Sequence, residues 1–355
     1  MNKFKYLFLF VLGFLFFSCG SNSDKKSSYF KLKTAGNKTE FQLGESIEGS
    51  IENLKELQID SIQLYFQQEY LKTLKAETSF SVPLKNTKLG RQKLEAIIFY
   101  EGETDTISDD LKIYNHTAPK AYTYKVVQEY PHDSKAYTQG LEFYKDTLYE
   151  STGQYGNSSL RKLNLETGEV LNKINLEDSY FGEGLTILND KLYLLTWREK
   201  EGLIYNLDTF EQIGTFSYNQ SKEGWGLTND GEYLYKSDGT EKIWILDAET
   251  LAEKGFIQVA TDKSIKTKFN ELEWVEGKIY ANTYQFPSVA IINPNNGALE
   301  GVIDFRGLRE RLTNLPALDT QNHVLNGIAY NPLTKKLYVT GKNWDKIFEV
   351  EIIEK

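Results

Sequence analysis

Of the 355 residues, one is cysteine and three are histidine, and this poverty removes whole classes of chemistry. The single cysteine, Cys19, allows no disulfide within the chain. The histidines, His116, His132 and His323, stand in no HxxH or HExxH spacing, so no zinc or other metal site is expected. Lone histidines of this kind read as structural or surface residues. No GxSxG nucleophile elbow occurs, nor a phosphate-cradling glycine loop, nor a DxDxDG calcium loop. No cofactor is therefore expected. Positive charge is in deficit as well: 41 Lys and Arg against 50 Asp and Glu leave a net charge of −9, which argues against nucleic acid as a ligand.

The N-terminus carries a targeting pattern. Lys3 and Lys5 precede twelve largely apolar residues, Tyr6 to Phe17, too few for a comfortable membrane span. Ser18 before Cys19 resembles a bacterial lipoprotein cleavage site, with Phe16 where Leu is more usual. Residues 1–19 are thus expected to be a lipoprotein signal, leaving an exported protein anchored by lipid on Cys19 to the cell envelope, in the periplasm or at the outer membrane. An ordinary secretory signal with an incidental cysteine is the alternative. The polar residues 20–28 read as a flexible tether.

From about residue 138 onward one pattern recurs five times: GLEFYKDTLYESTG from Gly140, GLTILNDKLYLLTW from Gly184, GLTNDGEYLYKSDG from Gly226, ELEWVEGKIYANTY from Glu271 and GIAYNPLTKKLYVTGK from Gly327. The starts are 44, 42, 45 and 56 residues apart. A period in the forties, built from apolar strands and Asp/Asn/Gly turns, predicts a β-propeller of five blades over residues 120–355. The strand Tyr122–Tyr130 precedes the first repeat and is expected to close the ring beside Ile347–Ile352, removing exposed edges. The long gap before the fifth repeat holds Gly307 to Leu312, expected as a short helical insertion over one face. Residues 29–115 lack the repeat. Strands at Ile47–Ile51, Ser61–Phe66, Thr78–Pro83 and Leu94–Tyr100 there suggest a small immunoglobulin-like β-sandwich, with His116–Lys120 as a hinge. The fold class expected is all-β.

Equivalent positions in a propeller form rings about the central channel. The residue before each repeat is Gln139, Glu183, Trp225, Asn270 or Asn326; five residues after each Leu-Tyr or Ile-Tyr step stands Gly153, Trp197, Gly239, Tyr284 or Lys342. Positions that only maintain packing should repeat, as the Leu-Tyr steps do. These two rings instead vary among polar and aromatic residues, as expected where each blade supplies a different part of one site. Glu183 lies between Gly182 and Gly184, which let backbone approach a ligand closely. A carboxyl beside the indoles of Trp197 and Trp225 would be desolvated and its pKa raised toward the range useful for proton transfer. Taken singly, Glu183 also fits a solvated channel mouth, and the two tryptophans plain packing.

At these residues the chain resembles the plant- and bacterial-type glutaminyl-peptide cyclotransferases, or glutaminyl cyclases. The motifs are Tyr137–Leu141 (YTQGL), Tyr149–Gly156 (YESTGQYG), Phe181–Thr186 (FGEGLT), Leu195–Arg198 (LTWR), Gly224–Leu227 (GWGL), Ser237–Thr240 (SDGT), Asn270–Glu273 (NELE), Leu325–Ile328 (LNGI) and Thr340–Trp344 (TGKNW). They run in order through all five blades, over essentially residues 122–352. The sandwich lies outside the family core, an arrangement that resembles lipoprotein members from the Bacteroidetes lineage.

The resemblance implies metal-independent conversion of an N-terminal glutamine of a peptide or protein to pyroglutamate, with loss of ammonia. It implies Glu183 as general acid and base, with Gln139, Trp197, Trp225, Asn270 and Lys342 lining the pocket. Tyr284 stands where the family more often has Trp, a departure expected to bear on substrate preference or rate. The chemistry agrees, since the substrate's own amine is the nucleophile and no Ser or Cys is needed. Two other readings remain at this point: a non-enzymatic propeller that binds a protein or peptide on its channel face, and a sugar- or lactone-hydrolysing propeller with a central metal, which the shortage of histidine and of ring-facing acids disfavours. A monomer is expected.

Overall fold

The computed structural model describes residues 29–75 and 77–355; the lipoprotein signal, Cys19 and the tether expected over residues 1–28 lie outside the described residues. Among the described residues, secondary structure is strand apart from three single-turn 3-10 helices.

Residues 138–354, with the strand Lys120–Pro131, build a five-bladed β-propeller of four-stranded antiparallel sheets. Each blade begins at the channel with the first strand of a repeat: Thr138–Tyr144, Gly182–Leu188, Leu227–Asn229, Phe269–Val275 and Leu325–Asn331. These five strands contact one another in ring order, and the last returns to the first. Two-residue hairpins lead to the second strands of the first, second and fourth blades, and longer turns to those of the third and fifth. At Asn189-Asp190 and Glu276-Gly277 both turn residues have positive φ, the left-handed pair that matches the twist of the flanking strands. The Leu of each Leu-Tyr step is buried between blades, with Leu192 and Leu234 fully enclosed. Burial on both faces of these strands fixes the repeat, since a one-residue slip would exchange the two faces.

The ring closes as the sequence implies. Lys120–Pro131 pairs antiparallel with Lys346–Glu354 and becomes the outer strand of the fifth blade. Its first residues also pair, in parallel, with Leu299–Asp304, the outer strand of the fourth blade. One strand therefore ties two blades into an eight-stranded sheet. The insertion before the fifth repeat forms two 3-10 turns, Arg309–Arg311 and Leu315–Ala317, rather than an α-helix.

Residues 30–114 form two sheets, one of three strands and one of five, packed about a core that includes Ile47, Leu64, Leu94 and Ile98. His116–Lys120, expected as a hinge, does not join two independent bodies. Ala260 and Ala298 of the propeller belong to the sandwich's own apolar cluster. Around them Leu89 N donates to Asn296 O at 2.9 Å, Asn115 N to Thr261 O at 3.0 Å and Arg91 N to Gln258 Oε1 at 2.5 Å. Shared apolar burial and hydrogen bonds such as these hold the two units together beside the connecting segment.

Candidate active site

The innermost strands are irregular at the point where the rings were expected. The ladder between first and second strands skips a residue between Thr138 and Gly140, Gly182 and Leu185, Phe269 and Leu272, and Leu325 and Ile328. Each skip contains the ring residue: Gln139, Glu183, Asn270 or Asn326. A bulge releases a side chain from the ladder and re-aims it, which accounts for buried polar side chains on strands otherwise packed on both faces. Trp225 sits at the same place in the third blade, just ahead of its short first strand. At Gly184 a Cβ would meet the next blade's backbone, Leu227 N, at 2.5 Å, so the residue after Glu183 has no room for a side chain.

These side chains converge on a cavity of about 270 Å³. Gln139, Glu183, Trp197, Trp225, Asn270, Tyr284 and Lys342 all line it. Asn326 lies behind, buried, donating through Nδ2 to Gln139 Oε1 at 3.2 Å. The glycine members of the second ring serve the aromatics: a Cβ on Gly239 would stand 2.6 Å from Trp225 Cζ2, and one on Gly153 would collide with the Phe181 ring.

Three lining residues were not singled out from the sequence: Tyr137, Phe181 and Asn322. Tyr137 and Phe181 each precede a ring residue by two, at equivalent places just ahead of the first strands of consecutive blades. That signal was available. Asn322 comes from the insertion, which has no counterpart in other repeats.

Glu183 is 5% exposed, and burial holds its carboxyl well above the ordinary range; Glu223 and Glu199 push in the same direction, while Lys342 opposes them. Gln139 Nε2 donates to Glu183 Oε1 at 3.2 Å. Ser151 Oγ, on the second strand of the first blade (Thr147–Thr152), donates to the Glu183 carbonyl at 2.5 Å and anchors the bulge from the neighbouring blade. Burial pushes the Lys342 ammonium down to about 8, against the attraction of Glu183. It stands 4.8 Å from the centre of the Tyr137 ring and 5.4 Å from that of Tyr284. Asn270 Oδ1 is buried without a hydrogen-bond partner, an acceptor left open at the cavity. Phe181 packs on Trp197 at 5.4 Å, and Trp225 meets Tyr284 edge-on at 5.5 Å. The cavity thus offers an acid that holds its proton at unusually high pH, a nearby cation, amides and an aromatic wall. That set suits proton transfer to and from a small polar group, with charge stabilisation alongside. Among the described residues no group of three or more His, Cys, Asp or Glu side chains could hold a metal.

Further along the channel, Glu142, Glu271 and Glu273 are also buried but outside this cavity. Each accepts backbone N–H groups from another blade: Glu142 from Ile187, Glu271 from Leu141 and Ile328, Glu273 from Tyr330. They brace the blades.

The chain matches the profile of a family described as Glutamine cyclotransferase over residues 89–352. It is 38% identical over 236 residues to the glutaminyl-peptide cyclotransferase of Arabidopsis thaliana, a match spanning 64% of this chain and 71% of that protein. It is also similar to the crystal structure of Myxococcus xanthus glutaminyl cyclase, at 32% identity and a TM-score of 0.62, covering 67% of this chain and 99% of that one.

Proposed function

The chain belongs to the glutamine cyclotransferase family, and from that membership and the chemistry of the cavity we propose that it cyclises N-terminal glutamine of peptides and proteins to pyroglutamate with release of ammonia. In reaction class it is an aminoacyltransferase whose acceptor is the substrate's own amine. The glutamine side chain folds back inside the aromatic walls of Trp197, Trp225 and Tyr284, which exclude water that would otherwise hydrolyse the amide. The α-amine nitrogen attacks the γ-carbonyl carbon while the protonated Glu183 carboxyl stands ready to give its proton to the amide nitrogen. Negative charge develops on the carbonyl oxygen, where the Lys342 ammonium and an amide N–H of Gln139 or Asn270 stabilise it. Glu183 donates its proton to the departing nitrogen, the C–N bond breaks, ammonia leaves, and the resulting carboxylate takes the extra proton from the ring nitrogen. Each turnover restores Glu183 to its starting form.

The observation that carries this reading is a buried, proton-holding Glu183 beside Lys342 in a cavity of about 270 Å³, large enough for one side chain and its amine. A Gln-initiated peptide should lose the mass of one ammonia when incubated with the protein in EDTA, while its Nα-acetylated form stays unchanged. Failure to cyclise the free peptide refutes the reading, and loss of turnover in EDTA that zinc restores refutes its metal independence. We further propose that the protein is exported and held at the cell envelope by lipid on Cys19, a reading supported by the sequence pattern of residues 1–19.

A further inference from the structure

Glu223 does not line the cavity, yet both tryptophans that wall it depend on this residue. One carboxylate oxygen, Oε2, accepts the indole N–H of Trp197 at 2.9 Å and that of Trp225 at 2.9 Å. The other, Oε1, accepts from Arg198 Nε at 3.3 Å, and the Arg198 guanidinium lies 3.7 Å over the Trp197 ring. Two indoles from neighbouring blades are thereby pinned to a single point, and one of them is held on its face as well. Both indoles are only partly buried, so these polar bonds add to the packing that holds them. The anchor itself is held. Glu253 accepts Gln220 N at 2.6 Å and Ser221 N at 3.2 Å, and buried Lys236 donates to Ser221 Oγ, so the segment leading to Glu223 is tied to its own blade.

We propose that Glu223 is a positioning residue: by accepting both indole N–H groups on one oxygen it sets the separation of the two walls between which the substrate glutamine is held. The inference rests on the cyclotransferase reading for its substrate. Carboxylate acceptors make the stronger hydrogen bonds, so the neutral acceptor in Glu223→Gln should hold the walls less firmly, and Glu223→Ala not at all.

The test uses 15N-labelled indoles, of which the chain has five. In E223A two indole N–H resonances, assigned by Trp197→Phe and Trp225→Phe, should move upfield while the other three stay. KM for a Gln-initiated peptide should rise about tenfold, the scale of one lost charged hydrogen bond, with kcat within about threefold because the walls bind substrate and transition state alike. E223Q should restore most of KM and shift the same resonances less; it also decides the matter if E223A does not fold. Unmoved resonances in both variants, or moved resonances with unchanged KM, overturn the proposal. Absence of turnover in the wild type would instead strike the cyclotransferase reading. The peptide Kd, read from those two resonances, then stands in for KM: weaker binding by E223A supports the proposal and equal binding overturns it.

Discussion

Glu183→Gln removes the proton carrier and little else. The side chain is almost fully enclosed, and an amide of the same shape can turn its oxygen toward Gln139 Nε2 and keep that bond. Substrate binding should therefore survive. General acid–base groups contribute about 10²–10⁴-fold to rate, equivalent to roughly 3–5 kcal/mol on the barrier at 1.36 kcal/mol per decade. The fall should lie in kcat, with a much smaller change in KM. A second signature follows from Lys342. Glu183 raises the Lys342 pKa, so removing its charge should carry the lysine further below about 8 and move the alkaline limb of any residual activity to lower pH. The assay is ammonia release at saturating Gln-initiated peptide across pH, with folding checked by thermal melting. A folded E183Q protein with near-wild-type kcat would refute the role of Glu183 and direct attention to Lys342.

Trp225→Ala should show the opposite split, a large rise in KM with a smaller loss of kcat, measurable in the same assay. Gly239→Ala should resemble it, because the new methyl would stand 2.6 Å from Trp225 Cζ2 at a residue with φ of +77°; kinetics like the wild type would show that the indole has room to yield. Glu142→Gln should leave activity nearly intact but change the pH dependence of stability. Burial raises the Glu142 carboxyl from its ordinary 4.5 to about 8. The stability this proton contributes is complete below the ordinary value and is lost as pH rises through the folded one, so the wild-type Tm should decline across that interval. Glu271 and Glu273 are shifted the same way. E142Q cannot ionise, so its decline should be shallower, and equal slopes in the two proteins would refute the argument.

Repetition made the propeller readable, and with it the cavity. Five copies must place equivalent residues at equivalent depths, so variation at Gln139, Glu183, Trp225 and Asn270 against constancy at the Leu-Tyr steps marked one functional ring. Where repetition fails, so does legibility. Asn322 arrives on an insertion unique to the fifth repeat, and nothing local indicates its direction. Glu223 was hidden for a different reason: it acts through other side chains, and spacing does not reveal who shares an acceptor. Glu142, Glu271 and Glu273 carry a letter that ordinarily means solvent, and only the ring of blades shows the backbone groups they satisfy. In the sandwich, Glu103–Tyr114 went unnamed because most of its length faces water; only Leu111, Ile113 and Tyr114 are buried.

The outer strand of the fifth blade sets the order of events in the life of the molecule. Lys120–Pro131 leaves the ribosome more than two hundred residues before its antiparallel partner, Lys346–Glu354, is made. Until then it has only a short parallel partner on the fourth blade, and the fifth blade lacks its two outer strands as a pair. Contacts so distant in sequence form slowly. The cavity draws Gln139 from the first blade and Lys342 from the fifth, so a nascent or truncated chain, however well its middle blades have folded, holds the parts of a catalyst without the arrangement. Catalytic competence therefore waits on the strand Lys346–Glu354, long after the residue that carries the proton has been made.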